Sequence, residues 1–158
     1  MKKKEIKIKL IPDKIYRRIT RLVPIACVDL IVTNNKGEIL LLRRKNEPAK
    51  NEWWFPGGRV HFMETRKDAA LRKLKEECGL RGKIEKEIGT YDLVPESGSH
   101  QRLHAITTAF QIHANGIHVK IDSQSADYKW LLPDECLKIA KHKFVRTILR
   151  KIYDRHDQ

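Results

Sequence analysis

Disulfide chemistry has little to work with in this chain. Its three cysteines, Cys27, Cys78 and Cys136, are odd in number, widely spaced and form no C-x-x-C pair, which excludes a disulfide framework and a cysteine-rich zinc site. They read as reduced core or surface residues. No stretch approaches the roughly 20 apolar residues that a membrane helix requires, so no membrane partner is expected. The start, MKKKEIKIKL, lacks the long apolar run of a secretory signal, and the expected compartment is the cytoplasm. Linkers rich in proline and glycine, internal repeats and low-complexity blocks are also missing. Residues 1–158 are therefore expected to form one domain, with residues 1–21 as a basic arm or a dimerisation segment. Apart from His104, taken up below, the histidines show no spacing that suggests a metal site.

Acidic residues are the minority, 20 against 33 lysines and arginines, for a formal charge of +13. That balance favours polyanionic partners, and both nucleotides and nucleic acid qualify. The basic residues gather at Lys2, Lys3, Lys4, Lys7 and Lys9 and again from Lys138 to Lys151. A solvated basic face is the ordinary reading of such runs, and contact with RNA or DNA the less favoured one.

With 158 residues, 41% of them hydrophobic, the chain is long enough to bury a core. The β-branched run LVPIACVDLIVT at 22–33 and the segment from Glu38 to Arg43 flank Asn34-Asn35-Lys36-Gly37, which predicts a hairpin. A short strand from Trp53 to Phe55 follows, then strands at 83–94, 102–113, near 117–121 and at 127–132. Of Trp53 and Trp54, one is expected to pack in the core and the other to lie near a base or sugar, with stacking the less favoured role for either. Pro133 opens a short helix through Ala140, and Phe144 to Tyr153 is amphipathic. The alternating IKIKLI start suggests an edge strand near the N-terminus. The sum is a mixed sheet with helices on both faces, an α/β arrangement.

Between Arg66 and Cys78, Ala70, Leu71, Leu74 and Cys78 recur near helical spacing, with Thr65 as N-cap and Gly79 as stop. On that helix, positions 73, 76 and 77 project from one face. Glu76 and Glu77 there are suited to a hard divalent cation, which prefers carboxylate and carbonyl oxygens. Lys73 is the exception, although its long stem allows the charge to bend away into water. Arg72 lies eight residues after Glu64, so Glu64 can fold back and hold the guanidinium by a bidentate pair. The paired glycines, Gly57 and Gly58, allow backbone carbonyls to approach a cation. Such a set suits hydrolysis of a diphosphate, whose negative oxygens repel water until a cation neutralises them.

Loop and helix together resemble the Nudix signature, G-x5-E-x7-R-E-U-x-E-E-x-G-U, at Gly58, Glu64, Arg72, Leu74, Glu76, Glu77, Gly79 and Leu80. Only Lys73 departs from it. The resemblance implies an α/β/α sandwich and Mg²⁺, or Mn²⁺, as cofactor. Within the family, VDLIVTNNKGEILLLRRKNEPAKNEWWFPGGRV, HAITTAF and DYKWL are most similar to the GDP-mannose mannosyl hydrolases, over roughly residues 11 to 145. Those enzymes direct water at the sugar carbon, work with fewer metals and lack a glutamate at the position of Lys73. Their N-terminal region helps to form a homodimer, which the resemblance extends to this chain.

By position, the resemblance implies that Arg44 and Arg59 hold the diphosphate and sugar, and that Asp29 lies at the substrate. It implies metal ligands at Glu77, Gln124 and a carbonyl of Gly57 or Gly58. Bland alternatives stand beside them: Asp29 satisfying a buried neighbour, and Arg44 as a strand-end charge. His104 is either a substrate contact or a satisfied structural histidine. Two departures matter. The mannosyl hydrolases take their general base from a histidine directly after the metal-binding glutamine, where this chain has Ser125, and serine does not take a proton unaided near neutral pH. Conversely, Glu76 restores a carboxylate that those enzymes lack. Both point to attack at phosphorus in a nucleotide sugar or related compound, with Glu76 as metal ligand or water activator and Glu64 and Arg72 bracing the loop. Asp122, Glu96 and His104 are the weaker candidates for the base. A sugar-releasing hydrolase and a non-catalytic nucleic-acid binder are the alternatives.

Overall fold

The computed structural model describes residues 11–47, 49–95 and 103–154. Among them the chain runs α1 (Asp13–Ile19), β1 (Ile25–Thr33), β2 (Ile39–Arg44), β3 (Trp53–Trp54), β4 (Gly57–Arg59), α2 (Arg66–Cys78), β5 (Gly82–Leu93), β6 (Ala105–Ala114), β7 (Ser125–Leu131), α3 (Pro133–Ile139) and α4 (Lys143–Tyr153). The strands form one mixed sheet ordered β3-β2-β1-β6-β5, with β4 pairing β1 and β7 pairing β2 off that path. It is an α+β fold.

Residue parity along the central strands explains the layers. Val28, Leu30 and Val32 of β1 and Leu40 and Leu42 of β2 pack with Ala69, Ala70, Leu74 and Cys78 of α2. The alternate residues, Ile31, Ile39 and Leu41, pack with Cys136 of α3 and Val145, Ile148 and Leu149 of α4. Both faces of β1 are covered, which is why its sequence is a continuous apolar run rather than an alternation. On α4, Phe144, Val145, Ile148, Leu149 and Ile152 are buried, each such side chain contributing about 1.5–3 kcal/mol of transfer free energy.

The hairpin between β1 and β2 is paired only at its neck, Thr33↔Ile39. Asn34 builds the turn: its Oδ1 accepts from the N–H groups of Lys36 at 2.9 Å and Glu38 at 3.1 Å. Beyond that rung the strands diverge. Cys27, Val28 and Asp29 pair instead with Arg59, Gly58 and Gly57 of β4, while β2 turns to β7 and β3. The wedge of β4 between the two halves of the sheet is what delivers the glycine loop to α2.

One expectation is corrected, and two points that the sequence left open are described. Residues 117–121 form no strand: Val119 and Ile121 do pack on the core, but the Lys120 N–H is spent on the Cys78 carbonyl at 2.9 Å, at the C-terminal end of α2. Alternating apolar residues looked the same either way. The stretch from Asp13 to Ile19 is a helix with no buried residue; the IKIKLI start, expected as an edge strand, lies almost wholly outside the described residues. Lys73, whose long stem allowed the charge to bend away into water, is instead turned inward and only 9% exposed, for the reason given below. No helix among the described residues is long and apolar enough to cross a membrane.

Candidate active site on the second helix

The N-terminus of α2 is capped by Thr65, whose Oγ1 accepts from the Asp68 N–H at 3.1 Å and donates to the Asp68 carboxylate at 2.7 Å. Its C-terminus is closed by Gly79 at φ 66°, a left-handed conformation that costs glycine nothing. Helix ends set in this way fix which side chains face the glycine loop.

Gly57 admits no side chain, because a Cβ there would lie 2.2 Å from the Val28 carbonyl oxygen. The close approach lets its N–H donate to Glu77 Oε2 at 3.0 Å. A Cβ on Gly58 would sit 2.8 Å from Cε of Lys73, so the second glycine makes room for the lysine stem. Lys73 Nζ lies 2.8 Å from Glu77 Oε1 and 3.6 Å from Glu76 Oε2. Glu77 is itself 8% exposed. Burial pushes its carboxyl up, and the Lys73 ammonium and the Gly57 N–H pull it back; the Asp122 carboxylate is near enough to add to the upward push.

Arg72 ties the loop to the helix. Its Nε donates to Glu64 Oε1 at 2.6 Å and its Nη2 to Glu64 Oε2 at 2.9 Å, a bidentate pair. Nη2 also reaches the Arg59 carbonyl at 3.0 Å, and Nη1 reaches Glu76 Oε2 at 3.0 Å. Glu64 Oε2 accepts the His61 N–H as well, at 2.9 Å. The Arg72 hydrogen bonds hold the Glu64 carboxyl below the usual carboxylate range. Glu64 and Arg72 are therefore occupied with each other and brace the loop, whereas the Glu76 side chain is 49% exposed and open to a ligand.

The residues expected at the substrate lie at varied depth. Asp29 is buried, and both of its oxygens are engaged, Oδ1 accepting from Trp54 Nε1 at 2.9 Å and Oδ2 from Thr107 Oγ1 at 2.6 Å. Burial raises its carboxyl to about 6 against the pull of those two donors. Arg44 stands 5.8 Å from the centre of the Trp54 ring, and that ring meets His142 at 4.5 Å and Phe144 at 5.8 Å. Trp53 faces Lys129, whose Nζ is 5.3 Å from the ring centre. Arg59 lies over Tyr16 of α1 at 4.4 Å. His104 is half-buried just before β6, and its carbonyl accepts from the Ile25 N–H at 2.8 Å. Gln124 is exposed; its N–H donates to Asp122 Oδ1 at 3.0 Å and its carbonyl accepts from the Lys45 N–H at 2.9 Å. Ser125 is buried at the head of β7. Glu96 lies outside the described residues.

The structure thus brings Glu64, Arg72, Lys73, Glu76, Glu77, Gly57 and Gly58 together in one cluster. It places Asp29, Trp54 and Arg44 in a second, linked to the first through the β1–β4 pairing of Asp29 with Gly57. Sequence reasoning missed Tyr16 under Arg59 and the donors to Asp29. Thr107 and Trp54 come from strands distant in the chain, and no local spacing announces them.

Glu76 and Glu77 offer carboxylates, and the adjoining loop of Gly57 and Gly58 main-chain oxygens, of the kind a hard divalent cation takes; the described contacts of Gln124 are main-chain ones, to Asp122 and Lys45. Two carboxylates on one helix face beside a glycine loop are the chemistry of such a site, with the Lys73 ammonium standing between them; among the described residues no group of three or more His, Cys, Asp and Glu converges.

Residues 23–153 match the family model described as NUDIX domain. The chain belongs to the Nudix family. The match spans most of the sequence and takes in both clusters. The chain is 34% identical over 126 residues to the low-salt glycan biosynthesis protein Agl8 of Haloferax volcanii, covering 78% of this chain and 80% of that protein. It is also 34% identical over 107 residues to an ADP-ribose pyrophosphatase of Methanocaldococcus jannaschii, across 66% of this chain and 61% of the relative. Among solved structures, the MutT protein of Methanosarcina mazei Go1 superposes with a TM-score of 0.71 at 25% identity, over 87% of this chain and 98% of the other. As a Nudix hydrolase the chain is an enzyme, and its sheet with helices on both faces is the Nudix fold.

Proposed function

We propose that this Nudix hydrolase cleaves the P–O–P bond of a nucleoside diphosphate joined to another group, with a nucleotide sugar as the favoured substrate, by attack of water at phosphorus. The observation that carries the reading is the pairing of Glu76 with Glu77: one carboxylate half-exposed, the other buried against the glycine loop. The position where a mannosyl-type enzyme needs a histidine base holds instead a buried serine, Ser125, which supports phosphorus over the sugar carbon. The relative named for glycan biosynthesis supports the sugar-linked class.

In this reading Glu76 takes the proton of the attacking water as its oxygen bonds to phosphorus. The bond from that phosphorus to the bridging oxygen breaks, and the leaving phosphate oxygen receives the proton. Arg44 and Arg59 hold the diphosphate, Asp29 and His104 contact the remainder of the substrate, and Glu64 with Arg72 keeps the loop in place. Glu77, Gln124 and a carbonyl of Gly57 or Gly58 would hold Mg²⁺, with Mn²⁺ as substitute and with Glu76 as a further ligand where it does not serve as the base, and such an ion would supply neutralisation of the phosphate oxygens. The enzyme would act in the cytoplasm as a homodimer of single-domain chains.

Incubation with Mg²⁺ and a panel of nucleoside diphosphate sugars, dinucleoside polyphosphates and nucleoside triphosphates tests the proposal, with products separated by ion exchange. Nucleoside monophosphate plus a sugar phosphate is expected. Nucleoside diphosphate plus free sugar would replace it with glycosyl hydrolysis, and no turnover together with steeply salt-sensitive nucleic-acid binding would replace it with a non-catalytic role.

A further inference from the structure

We infer that the Lys73 ammonium is a built-in cation, which keeps the acidic pocket of α2 assembled without metal and occupies the place of one divalent ion. The inference rests on reading that pocket as a cation site, and it deepens that reading. Four observations carry it. Lys73 Nζ is 2.8 Å from Glu77 Oε1 and 3.6 Å from Glu76 Oε2, so one ammonium touches both candidate metal ligands on the helix. The side chain is buried rather than turned to water. Gly58 leaves the gap through which the stem passes, its hypothetical Cβ only 2.8 Å from Cε. The second oxygen of Glu77 is taken by the Gly57 N–H at 3.0 Å, so both oxygens of the carboxylate have partners from within the chain.

A buried carboxylate is tolerated only when a charge or hydrogen bonds compensate it. Lys73 provides that charge from within the chain, at the spacings i→i+3 and i→i+4 that bring side chains together on one helix face. An incoming Mg²⁺ therefore competes with a tethered partner at high effective concentration. Two consequences follow. The metal-free protein is already folded at this site, and its affinity for divalent ions is weaker than the carboxylates alone would give.

The test compares wild type, Lys73→Met and Lys73→Glu, all without substrate. Bound Mn²⁺ is counted by the loss of the free-ion electron paramagnetic resonance signal, and unfolding temperature is read with Mg²⁺ or with chelator. Wild type should unfold at nearly the same temperature in both. Lys73→Met should unfold earlier in chelator, recover in Mg²⁺ and bind Mn²⁺ at least about tenfold more tightly, the scale of one short-range charge repulsion removed from a partly screened site. Lys73→Glu should bind more Mn²⁺ per chain than wild type. Mn²⁺ bound with equal affinity by wild type and Lys73→Met, with no change in the metal dependence of unfolding, would overturn the inference and leave the cation site standing. Failure of Lys73→Met to fold even in Mg²⁺ would also overturn it, because the missing charge would then not be one that a divalent ion replaces. Absence of Mn²⁺ binding in all three proteins would remove the cation-site reading itself.

Discussion

Glu77 is held from two sides, by the Gly57 N–H at 3.0 Å and the Lys73 ammonium at 2.8 Å, and the same carboxylate is the innermost candidate ligand of the site. Glu77→Gln keeps the size and the acceptor for Gly57 but loses the charge. Turnover of a nucleotide sugar should fall by about three powers of ten, equivalent to roughly 4 kcal/mol of transition-state stabilisation, and steady-state kinetics at saturating Mg²⁺ will read it. Asp29 makes a prediction about pH. Its carboxyl is raised from 3.8 to about 6, so the folded chain binds a proton that the unfolded chain releases between those values. The resulting stability is complete below pH 3.8 and is lost as pH rises through about 6. Its full size is on the order of 3 kcal/mol. Denaturant unfolding of Asp29→Asn, measured relative to wild type from pH 4 to pH 7, should show this decline only in the wild type; parallel curves would place the ionisation elsewhere. The Glu64–Arg72 pair was legible in the sequence because its geometry follows from two positions near one helix. The inward turn of Lys73 was not, because it depends on a missing side chain at Gly58, which a different element carries.

At the scale of elements, α2 was the most legible part of the chain. Its start at Thr65, its stop at Gly79 and its apolar face of Ala70, Leu74 and Cys78 all follow from local chemistry. That permits a quantitative expectation for the cap: Thr65→Ala removes the acceptor for the Asp68 N–H and should lower global stability by about 1 kcal/mol, measured by urea unfolding. Because the cap also sets the helix phase against the glycine loop, a loss of activity beyond the loss of stability is expected at the same temperature. The element that escaped was α1, a seven-residue helix with no buried residue, whose sequence carries little periodic signal. Its Tyr16 lies under Arg59, a contact fixed only when the whole sheet is assembled. The loop at 117–121 escaped for the opposite reason. Its alternation of apolar residues is real, but the backbone serves the end of α2 and no sheet edge.

For the molecule as a whole, the decisive feature is a sheet that parts after one rung between β1 and β2. The parting lets β4 bring the glycine loop to the carboxylates of α2 on one side, while Asp29, Trp54 and Arg44 gather next to it. The layered architecture was legible from the period of each segment. The divergence was not, since a hairpin turn in the sequence looks the same whether its strands stay paired or separate. A formal charge of +13 over the chain favours phosphate-bearing ligands, which suits a nucleotide sugar whichever bond is broken. The bond itself is therefore the point to test. Hydrolysis of the best nucleotide sugar in ¹⁸O-labelled water, followed by mass spectrometry of both products, decides it directly. Label in a phosphate group of the nucleoside monophosphate or the sugar phosphate is the predicted result; label in free sugar, with unlabelled nucleoside diphosphate, would contradict the account.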